Sequence, residues 1–256
     1  MFMLISAGMN MDLPASNLDY REQSYWDERY TSEDSYDWFS GYTSFKHLLK
    51  ADIQAHHRIL TLGCGNSPMS AEMYRDGFHH IVNTDFSSIV IDKMSKKHSD
   101  MIEMSWQVMD MCNIEFPEAS FDIVLEKGTI DALMVQERDP WNVSEETCQK
   151  IDSILNQVSH ILKPGGKFIS ITFSQTHFRK PLYARSRYNW DVQVSTVGDA
   201  FHFFYMVMEK GRELSEKDRL KEVELERRKL CQVSCENIPT VFIVEDTEDF
   251  ALGIEL

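Results

Sequence analysis

Two glycines and one aspartate of this chain have the types and spacing that hold a nucleoside. Gly63 and Gly65 follow the apolar run of residues 58–62, and Asp85 closes the next apolar run. Glycines let the backbone approach a ligand closely, and a carboxylate at the second strand end can accept hydrogen bonds from two ribose hydroxyls. The pattern predicts a cofactor that contains adenosine. A tight strand-to-helix turn without a ligand is the alternative.

The residues after the glycines argue against a dinucleotide. A dinucleotide fingerprint needs a third glycine, so that a pyrophosphate can lie against the helix N-terminus. That position holds Pro68. Ser67 and Pro68 instead suit the N-cap and the first residue of a helix, which leaves a cramped loop. The pattern therefore favours a ligand without phosphates, such as S-adenosylmethionine.

Further side chains follow the next apolar runs at the same edge of the predicted sheet. Phe86 comes directly after Asp85, and Asp110 and Met111 follow the third run. We expect Phe86 or Met111 to cover a face of the adenine. We expect Asp110 to accept a hydrogen bond from the adenine amino group. Helix capping just past a strand is the alternative for both aspartates.

An aromatic segment precedes the sheet. Residues 25–39 are rich in rings, among them Trp26, Tyr30 and Trp38. Such a segment can close over a cofactor as a lid, with its rings burying apolar area and its polar atoms holding the methionine end of the ligand. An ordinary helix docked on the sheet is the alternative.

The elements that must position these residues alternate in type. From residue 58 onward, short apolar runs alternate with helical patterns, which indicates a parallel sheet covered on both faces. Predicted strands occupy residues 58–62, 81–85, 105–109, 121–126 and 167–173. Helical periodicity marks residues 69–77, 89–98 and 145–162. Pro164 and Gly165 suit the middle of a type II turn before the fifth strand.

Two later runs, residues 190–196 and 201–210, are joined by a link of hairpin length, which predicts two antiparallel strands. Five parallel strands and this hairpin make a seven-stranded, mostly parallel α/β sheet with helices on both faces. By analogy of fold, this is the Rossmann-like arrangement of class I methyltransferases.

We expect one domain over residues 20–256, after a flexible N-terminus of residues 1–19. Within it, residues 20–50 form the lid and residues 58–210 the sheet core. Residues 211–240 are predicted to be a charged helix or insertion because both signs of charge crowd there. Residues 241–256 can return to a sheet edge.

Composition limits the partners. The chain of 256 residues carries a formal charge of −15, so its surface repels phosphate backbones and attracts basic partners. Nucleic acid is therefore not the expected substrate. Five cysteines without a metal-binding spacing indicate free thiols in a reducing compartment and no metal site. No apolar run is long enough for a bilayer, so we expect a cytoplasmic protein without a membrane partner.

Several longer motifs together resemble the seven-strand lysine methyltransferases of translation elongation factor 1-alpha. The similarity runs from about residue 20 to residue 210, with a weaker echo in residues 248–256. The element Glu-Lys-Gly-Thr-Ile-Asp of residues 126–131 is its most restrictive motif. The other matching segments are residues 25–30, 62–67, 84–87, 121–133 and 162–168.

This resemblance implies cofactor contacts at a defined set of positions, to which the glycine pattern adds Gly65. The implied contacts are Trp26, Tyr30, Trp38, Gly63, Asp85, Phe86, Asp110, Met111 and Lys127. The chain departs from the family pattern mildly. Phe86 stands where tyrosine is usual, Ile130 stands where leucine is usual, and the charged stretch after Arg212 has no clear counterpart.

The resemblance also implies the reaction. The family transfers a methyl group from S-adenosylmethionine to a lysine, and residues 126–131 correspond to its activity motif. We expect Glu126 and Asp131 to be catalytic, as groups that recruit and aim the lysine ammonium or accept its proton. The alternatives are that Asp131 caps a helix near Ala132 and that Glu126 pairs with Lys127 or Arg138.

The expected acceptor is a basic protein, elongation factor 1-alpha, and the expected enzyme is a monomer. Two other functions remain open from the sequence. One is a methyltransferase for small molecules, in which the lid encloses the acceptor. The other is a protein that keeps the fold and the cofactor but transfers nothing.

Overall fold

The computed structural model of the protein describes residues 14, 16–198 and 201–236, with residues 228–236 described in their backbone only. A short 3-10 helix, Asn17–Arg21, is the first element of the described chain, and it begins three residues before the predicted start of the lid at residue 20. The predicted C-terminal return of residues 241–256 lies outside the described residues, as do residues 1–13 of the predicted flexible N-terminus.

The described chain contains seven strands and eight α-helices. The strands are β1 (Ile59–Leu62), β2 (Ile81–Asp85), β3 (Ser105–Val108), β4 (Phe121–Lys127), β5 (Leu162–Thr172), β6 (Gln193–Val197) and β7 (Phe203–Glu209). The helices are α1 (Gln23–Ser32), α2 (Tyr42–Asp52), α3 (Met69–Arg75), α4 (Ser88–Lys97), α5 (Thr129–Leu133), α6 (Glu145–Ile161), α7 (Thr176–Tyr183) and α8 (Glu216–Glu236).

The strands form one sheet in the order β3-β2-β1-β4-β5-β7-β6. The strands β1 to β5 run parallel to one another. The strand β7 pairs antiparallel with both β5 and β6. The predicted seven-stranded α/β fold with a terminal antiparallel hairpin is therefore confirmed. Apolar clusters cover both faces of the sheet, which is why the central strands β1 and β4 are mostly apolar between their ends.

Strand register brings the predicted site residues to one edge. Leu62, the last residue of β1, lies beside Thr84 of β2 and Glu126 of β4. The next residues of these three segments therefore leave the sheet side by side. Since ligands of open α/β sheets bind outside the carboxyl ends of the strands, this edge is where a site is expected.

Helix α7 is not predicted from the sequence, and strand β5 and helix α8 also differ from the prediction. The strand β5 begins at Leu162 rather than at residue 167, because Leu162 already pairs with Phe121 and the chain then kinks at Gly165, where φ is +75°. Helix α8 confirms a helix in the charged segment. It is not wholly solvated, since Asp218 forms an ion pair with Lys180 of α7 at 2.7 Å.

Candidate active site

The glycine loop after β1 forms the floor of a cavity. Gly63 and Gly65 have φ values of +61° and +52°, a region that side chains disfavour. A Cβ atom added at Gly63 would lie 2.4 Å from the side chain of Thr129, so no larger residue fits there. The backbone of this loop therefore has a conformation that allows a ligand to approach it closely, as the sequence predicts.

Asp85 lies at the end of β2 and faces this loop. Its two carboxylate oxygens accept hydrogen bonds from the backbone N–H groups of Gly65 and Ser87, each at 3.0 Å. Burial raises the pKa of Asp85 to about 6, although these two N–H groups oppose the rise. Asp85 is therefore a carboxylate at neutral pH, with lone pairs left for further donors.

Helix capping does not explain either predicted aspartate. The N-cap of α4 is Ser87, whose side chain accepts from the backbone of Val90, so Asp85 is not the cap. Asp110 is exposed at the cavity rim and accepts from the backbone N–H of Cys112 at 2.8 Å, in a turn that no helix follows. Both carboxylates thus remain available to a ligand.

The aromatic segment covers the cavity from above. The rings of Trp26 and Tyr30 on α1 are stacked, with centroids 5.6 Å apart, and Trp38 packs edge-on against Trp26. The guanidinium of Arg29 lies 4.9 Å from the ring centre of Tyr36 and 5.3 Å from that of Trp38. These rings line the cavity, as expected of a lid. The indole N–H of Trp26 donates within the lid, to the carbonyl of Tyr20 at 2.8 Å.

Lys127 fastens the lid to the sheet. Its ammonium donates to the Asp37 carboxylate at 3.0 Å and to the backbone carbonyls of Trp38 and Ser40 at 2.7 and 3.4 Å. Burial lowers the pKa of Lys127, and the neighbouring Asp37 carboxylate opposes that effect. The predicted cofactor residue Lys127 therefore ties the aromatic segment to β4 as well as lining the cavity.

All ten residues predicted to contact the cofactor line this one cavity. They are Trp26, Tyr30, Trp38, Gly63, Gly65, Asp85, Phe86, Asp110, Met111 and Lys127. These residues come from four strand ends and two parts of the aromatic segment, so it is the fold that brings them together. The cavity is predominantly aromatic and apolar, with Asp85 and Asp110 as its carboxylates at the β2 and β3 ends.

The two predicted catalytic carboxylates are not among the residues that line the cavity. Glu126 is fully buried, and its side chain accepts from the backbone N–H groups of Thr129 and Ile130 at 3.0 and 3.2 Å. It also accepts from the hydroxyl of Ser170. Burial, together with the nearby Asp131, raises its pKa to about 7. Glu126 thus caps α5 rather than pairing with Lys127 or Arg138.

Asp131 is held in a buried ion pair. Its Oδ1 accepts from Arg179 of α7 at 2.6 Å and from the hydroxyl of Thr172 at 2.7 Å. Burial raises the pKa of Asp131 against the opposing effect of the guanidinium. Its Oδ2 and the Arg179 Nε have no partner among the described residues. Because Asp131 lies inside α5, it does not cap that helix.

Sequence reasoning missed several members of the site. It named the ends of β1 to β4 but not the end of β5, where Thr172 lies. Applying the strand-end rule once more would have found Thr172. Arg179 carries no such signal, because it lies inside the unpredicted helix α7. Asp37, the partner of Lys127, carries no distinguishing signal either, because the lid segment contains several acidic residues.

Two kinds of site are not found in the described part of the chain. Residues 14, 16–198 and 201–236 contain no cluster of histidine, cysteine and acidic side chains that could hold a metal ion. Within the same ranges, no helix is long and apolar enough to cross a bilayer.

Comparison with known proteins identifies relatives over most of the chain. A family model described as a methyltransferase domain matches residues 53–228. A mouse protein named EEF1A lysine methyltransferase 4 is 41% identical over 248 residues, which cover 96% of each chain. Its namesake from Bos taurus is 44% identical and covers 80% of this chain and 81% of its own.

Other matches are more distant. A Homo sapiens protein named eEF1A lysine and N-terminal methyltransferase is 34% identical over 75% of this chain, which corresponds to 27% of that protein. Among solved structures, the cyclase SpnF has a TM-score of 0.55 and 10% identity, covering 77% of this chain and 98% of its own. A methyltransferase from Aquifex aeolicus has a TM-score of 0.51 and 10% identity, covering 72% and 97%. These two structures show the fold alone.

Proposed function

The chain belongs to the methyltransferase-domain family, and from that premise we propose that it methylates a lysine of translation elongation factor 1-alpha. The relatives named EEF1A lysine methyltransferase 4 match 96% and 80% of this chain, which supports this substrate. The observation that carries the proposal is the convergence of all ten predicted cofactor residues around one cavity.

The residues of the cavity fit S-adenosylmethionine. When bound, this cofactor supplies a methyl group on a sulfonium sulfur, an electrophile that needs no metal. Asp85 would accept hydrogen bonds from the ribose hydroxyls, and Asp110 would accept one from the adenine amino group. Phe86 and Met111 would contact the adenine faces. The floor at Gly63 admits no side chain, which fits a ligand seated against the backbone.

The lid would exclude water from the reacting groups. A free lysine with a pKa near 10.4 is neutral only about once in 2,500 molecules at pH 7, a penalty of roughly 4.6 kcal/mol. Burial disfavours the charged ammonium and lowers this penalty. The rings of Trp26, Tyr30, Trp38 and Phe39 line the cavity and supply such surroundings.

We propose that Glu126 and Asp131 serve transfer by positioning. Glu126 fixes the start of α5 through two backbone N–H groups, and Asp131 ties α5 to α7. Helix α5 lines the cavity with Thr129, Ala132 and Leu133. The two carboxylates therefore fix the position of α5 at the side of the cavity. Both carboxylates are buried and neither lines the cavity, so a direct contact with the acceptor ammonium would require a change in the position of α5.

The surface and the thiols fit the proposed setting. A formal charge of −15 attracts a basic protein and speeds its encounter. Cys64 and Cys112 are free thiols, which accords with a reducing compartment. We propose that the enzyme acts as a monomer in the cytoplasm.

The decisive experiment is mass spectrometry of purified elongation factor 1-alpha before and after incubation with the enzyme and S-adenosylmethionine. We expect a mass increase equal to one or more methyl groups, located on a lysine. An unchanged mass, with cofactor binding shown in the same sample, would overturn the proposal. Labelled cofactor in a cell lysate would then show whether small molecules or nothing receives the methyl group.

A further inference from the structure

Three aromatic rings from two separate segments meet at the surface beside the cavity. Trp141 lies in the segment between α5 and α6, and His177 and Phe178 begin α7. The ring centre of Trp141 lies 4.8 Å from that of Phe178 and 5.3 Å from that of His177. Trp141 is 73% exposed. We call these three residues the Trp141 patch.

The backbone that presents Trp141 is held in place although its ring is exposed. Asp139 accepts from the backbone N–H of Trp141 at 2.9 Å and from the side chain of Asn142 at 2.6 Å. Glu137 accepts from the backbone and the hydroxyl of Ser144. An exposed indole on a fixed loop loses little conformational entropy when a partner binds it.

The Trp141 patch is continuous with the wall of the cavity. Leu133, the last residue of α5, lines the cavity, and the next residue, Met134, contacts the guanidinium of Arg179 at 2.9 Å. Arg179 directly follows Phe178 of the patch. The buried pair of Asp131 and Arg179 joins α5 to α7, so a protein seated on the patch lies next to the cavity.

The segment that carries Trp141 is acidic, and the two cations that follow Phe178, Arg179 and Lys180, are already paired with Asp131 and Asp218. Residues 136–146 contain four acidic side chains, Glu137, Asp139, Glu145 and Glu146, against one basic side chain, Arg138. Of these, Asp139, Glu145 and Glu146 are exposed. A tryptophan face also attracts lysine and arginine through cation–π contacts. The chemistry on this surface therefore fits a basic segment of a protein.

We propose that the Trp141 patch docks a basic surface of the protein substrate, with a lysine or arginine of that surface stacked on the indole of Trp141. This inference rests on the proposed function, because it names where elongation factor 1-alpha sits while its acceptor lysine reaches the cavity. Docking at a distance from the acceptor lysine sets the affinity for the substrate rather than the rate of transfer.

The test measures the kinetics of elongation factor 1-alpha methylation with Trp141→Ala. We expect KM for the elongation factor to rise about 10- to 30-fold, as at an interface hot spot, with kcat unchanged. Affinity for S-adenosylmethionine and the melting temperature should stay at their wild-type values. Trp141→Leu keeps an apolar contact without the cation–π face, and we expect an intermediate KM.

Two further variants complete the design. Ile102→Ala is the matched control, because Ile102 is 87% exposed and lies just before the amino end of the edge strand β3, whereas the patch lies on segments that follow β4 and β5. We expect it to leave KM unchanged. Glu146→Lys reverses an exposed charge near the patch. We expect it to raise KM at low ionic strength and to lose this effect at high salt.

The outcomes separate the two proposals. If the wild type methylates the elongation factor and Trp141→Ala keeps the same KM, the docking site is overturned and the proposed function stands. A lower kcat at unchanged KM would also overturn docking. A change from dimer to monomer in Trp141→Ala would assign the patch to a second copy of the chain. If the wild type transfers no methyl group to the elongation factor, both proposals fail.

Discussion

The cofactor cavity and the buried cluster of Glu126, Asp131 and Arg179 lie on adjacent strand ends, but they use their charges in opposite ways. In the cavity, the Asp85 carboxylate is held by backbone N–H groups and keeps lone pairs for a ligand. In the cluster, the Asp131 carboxylate is held by a guanidinium at 2.6 Å and is 2% exposed.

This difference separates binding from positioning. Backbone donors fix a carboxylate without neutralising it, so Asp85 can receive hydroxyl donors from solvent or ligand. A guanidinium neutralises the charge of its partner, and the Asp131 carboxylate is buried away from the cavity, so Asp131 acts by holding α5 against α7. Changes at Asp85 should therefore alter cofactor affinity, whereas changes at Asp131 should alter stability and transfer.

The largest expected effect comes from Asp131→Ala. It leaves the guanidinium of Arg179 buried without its partner, which costs about 3–5 kcal/mol of folding free energy. We expect transfer to be abolished while the remaining folded protein binds S-adenosylmethionine with nearly wild-type affinity. Chemical unfolding and cofactor titration at low temperature measure the two quantities. Normal turnover by this variant would remove Asp131 from transfer.

A double variant shows whether the Asp131 charge matters beyond stability. Asp131→Leu combined with Arg179→Met replaces the ion pair by apolar groups, and such exchanges are often neutral for folding. We expect stability to return but transfer to stay lost. If transfer returns with stability, the pair supports the fold alone and the proposed positioning role is wrong.

The next effect tests the lid. Lys127→Met removes the ammonium that donates to Asp37, Trp38 and Ser40. Charged hydrogen bonds contribute about 1.5–3 kcal/mol, so we expect cofactor affinity to fall roughly 10- to 100-fold. The loss should appear as faster dissociation in stopped-flow measurements, since the lid opens more easily.

Lys163→Met is the matched control for the lid variant. Lys163 forms an ion pair of similar length with Asp122, at 2.8 Å, but it is 42% exposed and lies at the amino end of β5, away from the cavity. We expect cofactor dissociation from this variant at the wild-type rate. Equal dissociation rates in both variants would mean that Lys127 does not hold the lid.

The smallest effect is a pH dependence of cofactor affinity, which we assign to Asp85 of the cavity. Burial raises the pKa of Asp85 from 3.8 to about 6, so the folded chain takes up a proton as pH falls through 6. The contribution of Asp85 to folding stability therefore decreases as pH rises from about 4 to 6, and it is constant above pH 6. Ribose hydroxyls donate to the ionised form, so cofactor affinity changes in the opposite direction.

At pH 5 about one Asp85 in eleven is ionised, so we expect cofactor affinity about tenfold lower than at pH 7.5. Isothermal titration at both pH values measures it. Asp85→Asn should bind weakly at both pH values and show a flat profile. A tenfold pH effect that persists in Asp85→Asn would assign the titration to another group.

The sequence predicted the cavity better than the cluster, for a physical reason. The cavity residues sit one or two positions beyond strand ends, and parallel strands bring such positions together whatever the details of packing. The cluster instead depends on Asp131 meeting Thr172 and Arg179, which lie 41 and 48 residues further along the chain. That contact follows from how α7 packs, and helical periodicity did not reveal α7.

The helix α5 shows the same limit on a shorter scale. From the sequence, helix capping is the alternative role of Asp131, whereas in the structure Glu126 accepts from the backbone at the start of this helix. The two carboxylates flank the same turn, and only the fold shows that Glu126 reaches back to the N–H groups of Thr129 and Ile130. Local sequence therefore indicated the kind of interaction without its partners.

The lid also has a consequence for how the protein is made. Asp37 is synthesised 90 residues before its partner Lys127, and Arg21 is synthesised 115 residues before Gln136, with which it forms a hydrogen bond. At about 5–20 residues per second, the aromatic segment waits on the order of 5–20 s for the strand that fastens it. Its rings stay open to chaperones during that time. The lid segment is thus synthesised before the sheet, but it can close over the cavity only after β4 has formed.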